Sequence, residues 1–252
     1  MTNDKPFPAI PKHPYPLVFA TISGAHLYGF PSPDSDCDIR GVHILPLPEV
    51  VGLNPLRETV EISAISPDRW QVDLVTHDLK KFALMLLKKN GYVLEQLYSP
   101  LVIHTSPAHS ELKEIAKTCI TRHHCYHYLG FAQTQWQLFA KETPHRVKPL
   151  LYIFRVLMTG IYLMRTGQIE ADALKLNQEF NLPYLPDLID RKKAGNEQIV
   201  IIGENDLLFY EAEWQRLYHE LKAASASSQL PDSPTGQDAL HDLLVRVRLE
   251  NK

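Results

Sequence analysis

The segment Ser23-Gly24-Ala25-His26-Leu27-Tyr28-Gly29-Phe30-Pro31-Ser32-Pro33-Asp34-Ser35-Asp36-Cys37-Asp38-Ile39-Arg40-Gly41 decides how the rest of the chain reads. It is entered from an apolar run, residues 17–23, with the pattern of a buried strand that ends at Ser23-Gly24. The stretch from Gly29 to Ser35 holds Pro31, Pro33 and Asp34, a composition that dictates a loop. Residues 37–44 then alternate, with Ile39, Val42 and Ile44 apolar, and predict a second strand. Two residues apart on that strand, Asp36 and Asp38 should leave the same face, and Arg40 shares it. Carboxylates held side by side raise each other's cost of ionisation. A hard divalent cation such as Mg2+ or Mn2+ removes that penalty.

Upstream, Ser23-Gly24-Ala25 has no bulky side chain, so backbone N–H groups there can approach phosphate oxygens closely. An Asp-x-Asp pair beside a Pro/Ser turn, taken alone, more often marks loop capping or a solvated strand end. A strand, a small turn, a spacer and an acid-bearing strand in that order supply the parts of phosphoryl or nucleotidyl transfer. A third strand is expected at residues 71–75, where Asp73 offers a third carboxylate; Glu58 and Glu61 are the alternatives.

Helical signals follow. Thr76 is expected to cap a helix with Asp78 in its first turn, and Leu79, Phe82, Ala83, Leu86 and Leu87 recur at helical spacing. Asn90-Gly91 should stop it, and Lys80, Lys81, Lys88 and Lys89 read as solvated surface. From the cap Ser106-Pro107 a long helical stretch is expected towards Glu142, broken near the His-rich centre. Further helices are expected at 148–165, stopping at Gly167, at 207–223 and at 241–249, with a mobile Ser/Pro/Ala-rich linker at 224–237. The fold class is therefore α/β (α+β): a small mixed-sheet core over residues 1–105 and a helical domain over 106–252.

Composition narrows the function classes. The formal net charge is −3, so no global basic field draws this chain onto nucleic acid, and such a substrate would have to meet a local patch. Cys37, Cys119 and Cys125 are odd in number and lack framework spacing, which predicts a reducing, cytoplasmic setting. Residues 1–16 lack the apolar core of a signal peptide. The apolar run 149–164 reads as too short for a bilayer and carries Arg155, which predicts a buried helix and no membrane partner. His123 and His127 stand at a zinc-compatible i,i+4 spacing, yet no acid lies between them, and a structural or surface role is expected. Arg191-Lys192-Lys193 reads as a solvated turn. Lys148, Tyr152 and Arg155 share one helix face, either a basic ligand face or a charged rim.

The central segment resembles the signature of the DNA polymerase β nucleotidyltransferase superfamily, a Gly followed by Gly or Ser, a spacer, then Asp-x-Asp. It is closer still to the predicted nucleotidyltransferases described as RNA-ligase partners. Ser23-Gly24, Tyr28-Gly29 and Ser35-Asp36-Cys37-Asp38-Ile39-Arg40-Gly41 carry the likeness, joined by Val72-Asp73, Leu79-Lys80-Lys81-Phe82 and Val93-Leu94-Glu95. The resemblance implies a mixed sheet followed by a helical domain that closes over the nucleotide. It implies Asp36, Asp38 and Asp73 as ligands of Mg2+ or Mn2+, with Asp73 the base for an acceptor hydroxyl. It implies Ser23, Gly24 and Ala25 as the turn for an NTP triphosphate, and an RNA end as acceptor.

A basic helix of the second domain contacts the triphosphate in related enzymes, which nominates Lys148 and Tyr152. Tyr28 either contacts nucleotide or packs the loop; Arg40 either reaches phosphate or pairs with a carboxylate. Ala25 departs from the family's usual Ser or Gly, which keeps the backbone cradle and removes a hydroxyl. The alternatives are an adenylyltransferase acting on protein or small molecule, and a non-catalytic nucleotide-binding or regulatory module.

Overall fold

The acid-bearing strands are hydrogen-bonded neighbours in a mixed sheet. The computed structural model describes residues 7–194 and 203–250. Its first part runs β1 (Leu17–Ile22), α1 (Gly24–Leu27), β2 (Cys37–His43), α2 (Leu47–Val51), β3 (Thr59–Ile65), β4 (Gln71–Asp78), α3 (Leu79–Leu87), α4 (Gly91–Tyr98) and β5 (Val102–His104). The rest is helical: α5 (Pro107–Lys117), a 3-10 turn at Arg122–His124, α6 (Cys125–Phe139), α7 (Val147–Thr166), α8 (Ala173–Phe180), α9 (Leu185–Ala194), α10 (Glu204–Ala226) and α11 (Gln237–Glu250). The sheet order is β3-β4-β2-β1-β5, with β2 and β4 parallel and the other pairs antiparallel. The α+β class expected from the sequence is what the chain forms.

Strand alternation sorts the two faces. Cys37, Ile39, Val72 and Leu74 enter a small apolar cluster closed by Trp70 and by Phe7 and Ile10 of the N-terminal segment. Val42, with Val18 and Phe19 of β1, joins a larger cluster that continues without a break through α3 to α11. Asp38, Arg40 and Asp73 alternate onto that helical side. One core thus crosses the expected boundary at residue 105. At its centre α7 buries Leu150, Phe154, Leu157 and Ile161. Each such side chain contributes about 1.5–3 kcal/mol, so α7 is anchored far more firmly than the one-sided α5.

Several expectations are corrected. Thr76 does not cap α3: it lies buried inside β4, opposite Gly41 and Val60, and its hydroxyl meets His43 Nδ1 at 2.8 Å. Asp78 caps instead, accepting from Lys80 N at 3.0 Å while the buried Arg248 grips its carboxylate at 2.6 and 2.7 Å. Asn90, read as a stop, is the N-cap of α4 and accepts from Tyr92 N. The stretch 224–237 is not a linker. α10 runs on to Ala226, after which Ser228 donates to Met164 O, Arg122 N to Pro231 O and Thr235 N to Thr118 O. A Cβ on Gly236 would stand 2.3 Å from Thr118 Oγ1, so this turn is packed tightly against its neighbours. The run read as too short for a bilayer forms the 20-residue α7, long and apolar enough to cross one by length and composition; 78% of its apolar window is buried against the rest of the protein.

Candidate active site

Asp38 and Asp73 stand opposite one another in the parallel β2–β4 register. The Arg40 guanidinium joins them: Nη2 lies 2.7 Å from Asp38 Oδ1 and 3.2 Å from Asp73 Oδ2. Its Nη1 donates to the carbonyls of Ile39 and Asp73, and its Nε to the Tyr92 hydroxyl at 3.1 Å. Five planar donors are thereby spread over carboxylates, carbonyls and a phenol, a geometry a lysine could not reproduce. Asp36 lies one residue before β2 and is exposed, so it does not share this fork. Burial raises the Asp38 pKa above the ordinary aspartate value; Arg40 opposes the rise, and the charges of Asp73 and Asp36 add to it.

The turn after β1 is shaped around Asp38. Ser23 N donates to Asp38 O at 2.8 Å, and Gly24 takes φ 60°, a left-handed conformation that favours glycine. A Cβ at Gly24 would lie 1.9 Å from Asp38 Oδ2, so carboxylate and backbone touch only because there is no side chain. Ser23 and Ala25 are buried behind this turn, Ala25 within the main apolar cluster. They therefore build the turn from within. Residue 25 is thus a core position, which an apolar side chain suits.

The cleft beside this turn has a volume of about 450 Å³. Gly24, Tyr28, Asp38, Arg40 and Tyr152, all nominated from sequence, wall it. Tyr28 and Tyr152 meet edge to face, with centroids 5.4 Å apart. Behind them Arg155 of α7, only 3% exposed, lies 3.8 Å from the Tyr28 ring centroid and holds Glu95 at 2.7 Å. Lys148 stands off the cleft wall, 6.0 Å from the Tyr152 centroid, with its charge still felt at Asp38.

A family model described as the RNA repair pathway DNA polymerase beta family matches residues 7–246. The chain belongs to that family. Membership places it in the nucleotidyltransferase superfamily, in agreement with the order of turn, spacer and acids. Among similar proteins, an uncharacterized protein of Methanocaldococcus jannaschii is 38% identical over 155 residues, 62% of this chain and 63% of the archaeal protein's length. An uncharacterized protein of Bacillus subtilis, YcgL, is 23% identical over 223 residues, 84% of each chain.

Within this RNA repair family member, sequence reasoning missed several parts of the site. Tyr92, Glu95, His127 and Phe131 also wall the cleft and come from helices that carry no acid motif. Lys192, read with its neighbours as a solvated turn, is buried and donates to Ser32 Oγ at 2.7 Å. The loop leading to Asp36 is thus held by α9. Gly29 (φ 84°) lets the same loop lie against Asp172, which caps α8, and Ala173 N donates to Tyr28 O. None of these long-range ties has a local signature.

The donor set is that of a hard divalent cation: carboxylate oxygens, with mutual repulsion at Asp38 for a cation to relieve. Among the described residues no three His, Cys, Asp or Glu side chains are gathered into a metal cage. Arg40 supplies the positive charge between Asp38 and Asp73, and Asp36 joins them only through its field.

Proposed function

We propose that this chain is a metal-dependent nucleotidyltransferase that moves a nucleoside monophosphate from an NTP to the hydroxyl of an acceptor, an RNA end, and releases pyrophosphate. The observation that supports this reading is the Asp38–Asp73 pair joined by Arg40, with Asp38 and Arg40 beside the Gly24 turn in a cleft lined by Tyr28, Tyr92 and Tyr152. Asp38 and Asp73 would hold Mg2+ or Mn2+, with the exposed Asp36 completing the set from the loop before β2, and the ion when bound would supply Lewis-acid stabilisation of the phosphate oxygens.

The chain's own groups do the rest. The turn at Gly24, which lines the cleft, presents backbone N–H to the triphosphate, with Ala25 behind it holding the turn in place. The half-buried Tyr152 offers ring surface to the base, with the buried Tyr28 packed edge to face against it as support, and Lys148 meets the phosphates from α7. Arg40 is the counter-charge of the acid pair at rest and a phosphate donor when nucleotide is present. The Asp73 carboxylate takes the acceptor's proton as its oxygen bonds to the α-phosphorus and the bond to pyrophosphate breaks.

A second reading, a nucleotide-binding module without turnover, draws on one observation: Arg40 already satisfies both carboxylates. The discriminating experiment supplies each of the four NTPs with Mg2+ or Mn2+ and RNA, protein or small-molecule acceptors, and measures pyrophosphate. Release with an RNA acceptor supports the transferase. Release only with a protein or small molecule moves the assignment to that acceptor class, and NTP binding without any release supports the module.

A further inference from the structure

The cleft continues past its own wall. Asn90 and His127 also line an open cavity of about 650 Å³ that runs on to Lys88, Lys89, His123 and Tyr126. His123 and Tyr126 in turn line a third cavity, of about 440 Å³, that reaches Arg122 and Lys222. Among the described residues, the two outer cavities are walled by four Lys or Arg side chains and by no acid. Asp232 pairs with Arg122 and His123 at the far end, at 2.5 and 3.4 Å. Lys88 and Lys89, next to the cleft, have no ion pair among the described residues. On a chain of net charge −3 such a row is not a by-product of a basic composition. It is the local patch that a nucleic-acid partner requires.

An aromatic face accompanies the charge. Tyr126 is 67% exposed and lies flat on the His123 ring, with centroids 5.8 Å apart and planes 7° from parallel. A tyrosine on the outer side of a helix, stacked yet uncovered, leaves one ring face for a further planar group. Cations alternating with an open ring are how single strands are held without reading sequence: charges track phosphates, and bases stack on aromatic faces. At the junction, burial and the Arg155 charge hold His127 below the ordinary histidine pKa. It is therefore a neutral hydrogen-bonding group where the strand would turn inward.

We propose that this groove is the track of a single-stranded RNA acceptor, whose end enters the cleft between Asn90 and His127. The proposal rests on the transferase reading for what happens in the cleft, and it can fail separately. RNA is favoured over an acidic peptide because the ring face and the run of cations suit bases and phosphates together.

The test is fluorescence anisotropy with a labelled single-stranded oligoribonucleotide of roughly 15 nucleotides, the span of one or two such modules. It compares the wild type, Lys88→Glu/Lys89→Glu and Tyr126→Ala over a salt series. The charge reversal should weaken binding at least tenfold and flatten the slope of log affinity against log salt by about 1.4, two phosphate contacts. Tyr126→Ala should lose about fivefold or more with the slope unchanged. Thermal shift by MgNTP should be the same in all three proteins, which also shows the variants folded.

Wild-type affinity retained by both variants, a duplex bound as tightly as the single strand, or an acidic peptide bound in preference to it overturns the proposal. Groove-dependent RNA binding without pyrophosphate release strikes the transferase reading alone. RNA-primed transfer that is as fast in the charge-reversed variant as in the wild type strikes the groove alone.

Discussion

The Asp38 carboxylate rests on the backbone of Gly24: a Cβ there would lie 1.9 Å from Oδ2. The turn after β1 and the acid are therefore one object, each shaped by the other. Gly24→Ala should meet both the clash and the left-handed φ of 60°, at a cost of about 1–3 kcal/mol for the backbone alone. A lower urea midpoint, with MgNTP binding lost, is the expected outcome. Unchanged binding would show that the turn and Asp38 can separate.

A cation bound at Asp38 and Asp73 would compete with Arg40 for the same carboxylates. In Arg40→Gln the apo protein should melt lower, because Asp38 and Asp73 then face each other without a counter-charge. Added Mg2+ should raise the melting temperature more than it does in the wild type. The pH dependence has a definite sign. Asp38 binds its proton more tightly folded than unfolded, so its contribution to stability falls as pH rises from the ordinary value of 3.8 through its raised folded pKa. Cation binding, which needs the carboxylate, should accordingly weaken at a higher pH than for an ordinary aspartate.

Arg155 and Glu95 form a buried pair at 2.7 Å under the Tyr28 ring. Removing one partner strands the other charge, and Arg155→Met should cost about 3–5 kcal/mol by urea unfolding. The double variant Arg155→Met/Glu95→Leu should recover much of that loss. If it does not, the pair contributes more than its own charges.

Buried histidines set the acid limit of the fold. His43, His109 and His124 are each pushed down to about 4, chiefly by burial. Below the ordinary value of 6.5 the unfolded chain takes up protons that the folded chain refuses until about 4. Stability is therefore fully present above pH 6.5 and should decline between 6.5 and about 4, by several kcal/mol in all. Urea midpoints at pH 7 and pH 5 measure the fall, and His109→Gln should make it shallower.

What the sequence disclosed follows a physical division. Alternation exposed β2 and the start of β4, and helical spacing exposed α3, α7, α10 and α11, because those signals are local. The face shared by Asp38 and Arg40 was legible for the same reason. Thr76 misled because a threonine before an apolar helical run caps as readily as it pairs, and its strand partners and the His13 and His43 contacts, all remote in sequence, decide. Asp36 falls just outside β2, so period two did not carry it to the face of Asp38. The ties of Lys192 to Ser32 and of Asp172 to Gly29 join residues far apart in the chain, and neither position carries a local pattern. Tyr126 and the Lys88-Lys89 pair gain meaning only from lying along one groove.

The most direct measurement is transfer of label from α-phosphate-labelled NTP to a single-stranded RNA with Mg2+, compared between the wild type, Asp38→Asn and Asp73→Asn. The wild type should place one labelled nucleotide per acceptor hydroxyl with equimolar pyrophosphate. Asp38→Asn and Asp73→Asn should each fall by a factor on the order of 10²–10⁴ while retaining the fold. Label transfer that survives both substitutions, or NTP bound by the wild type with no transfer under either metal, would contradict an active site built on Asp38 and Asp73.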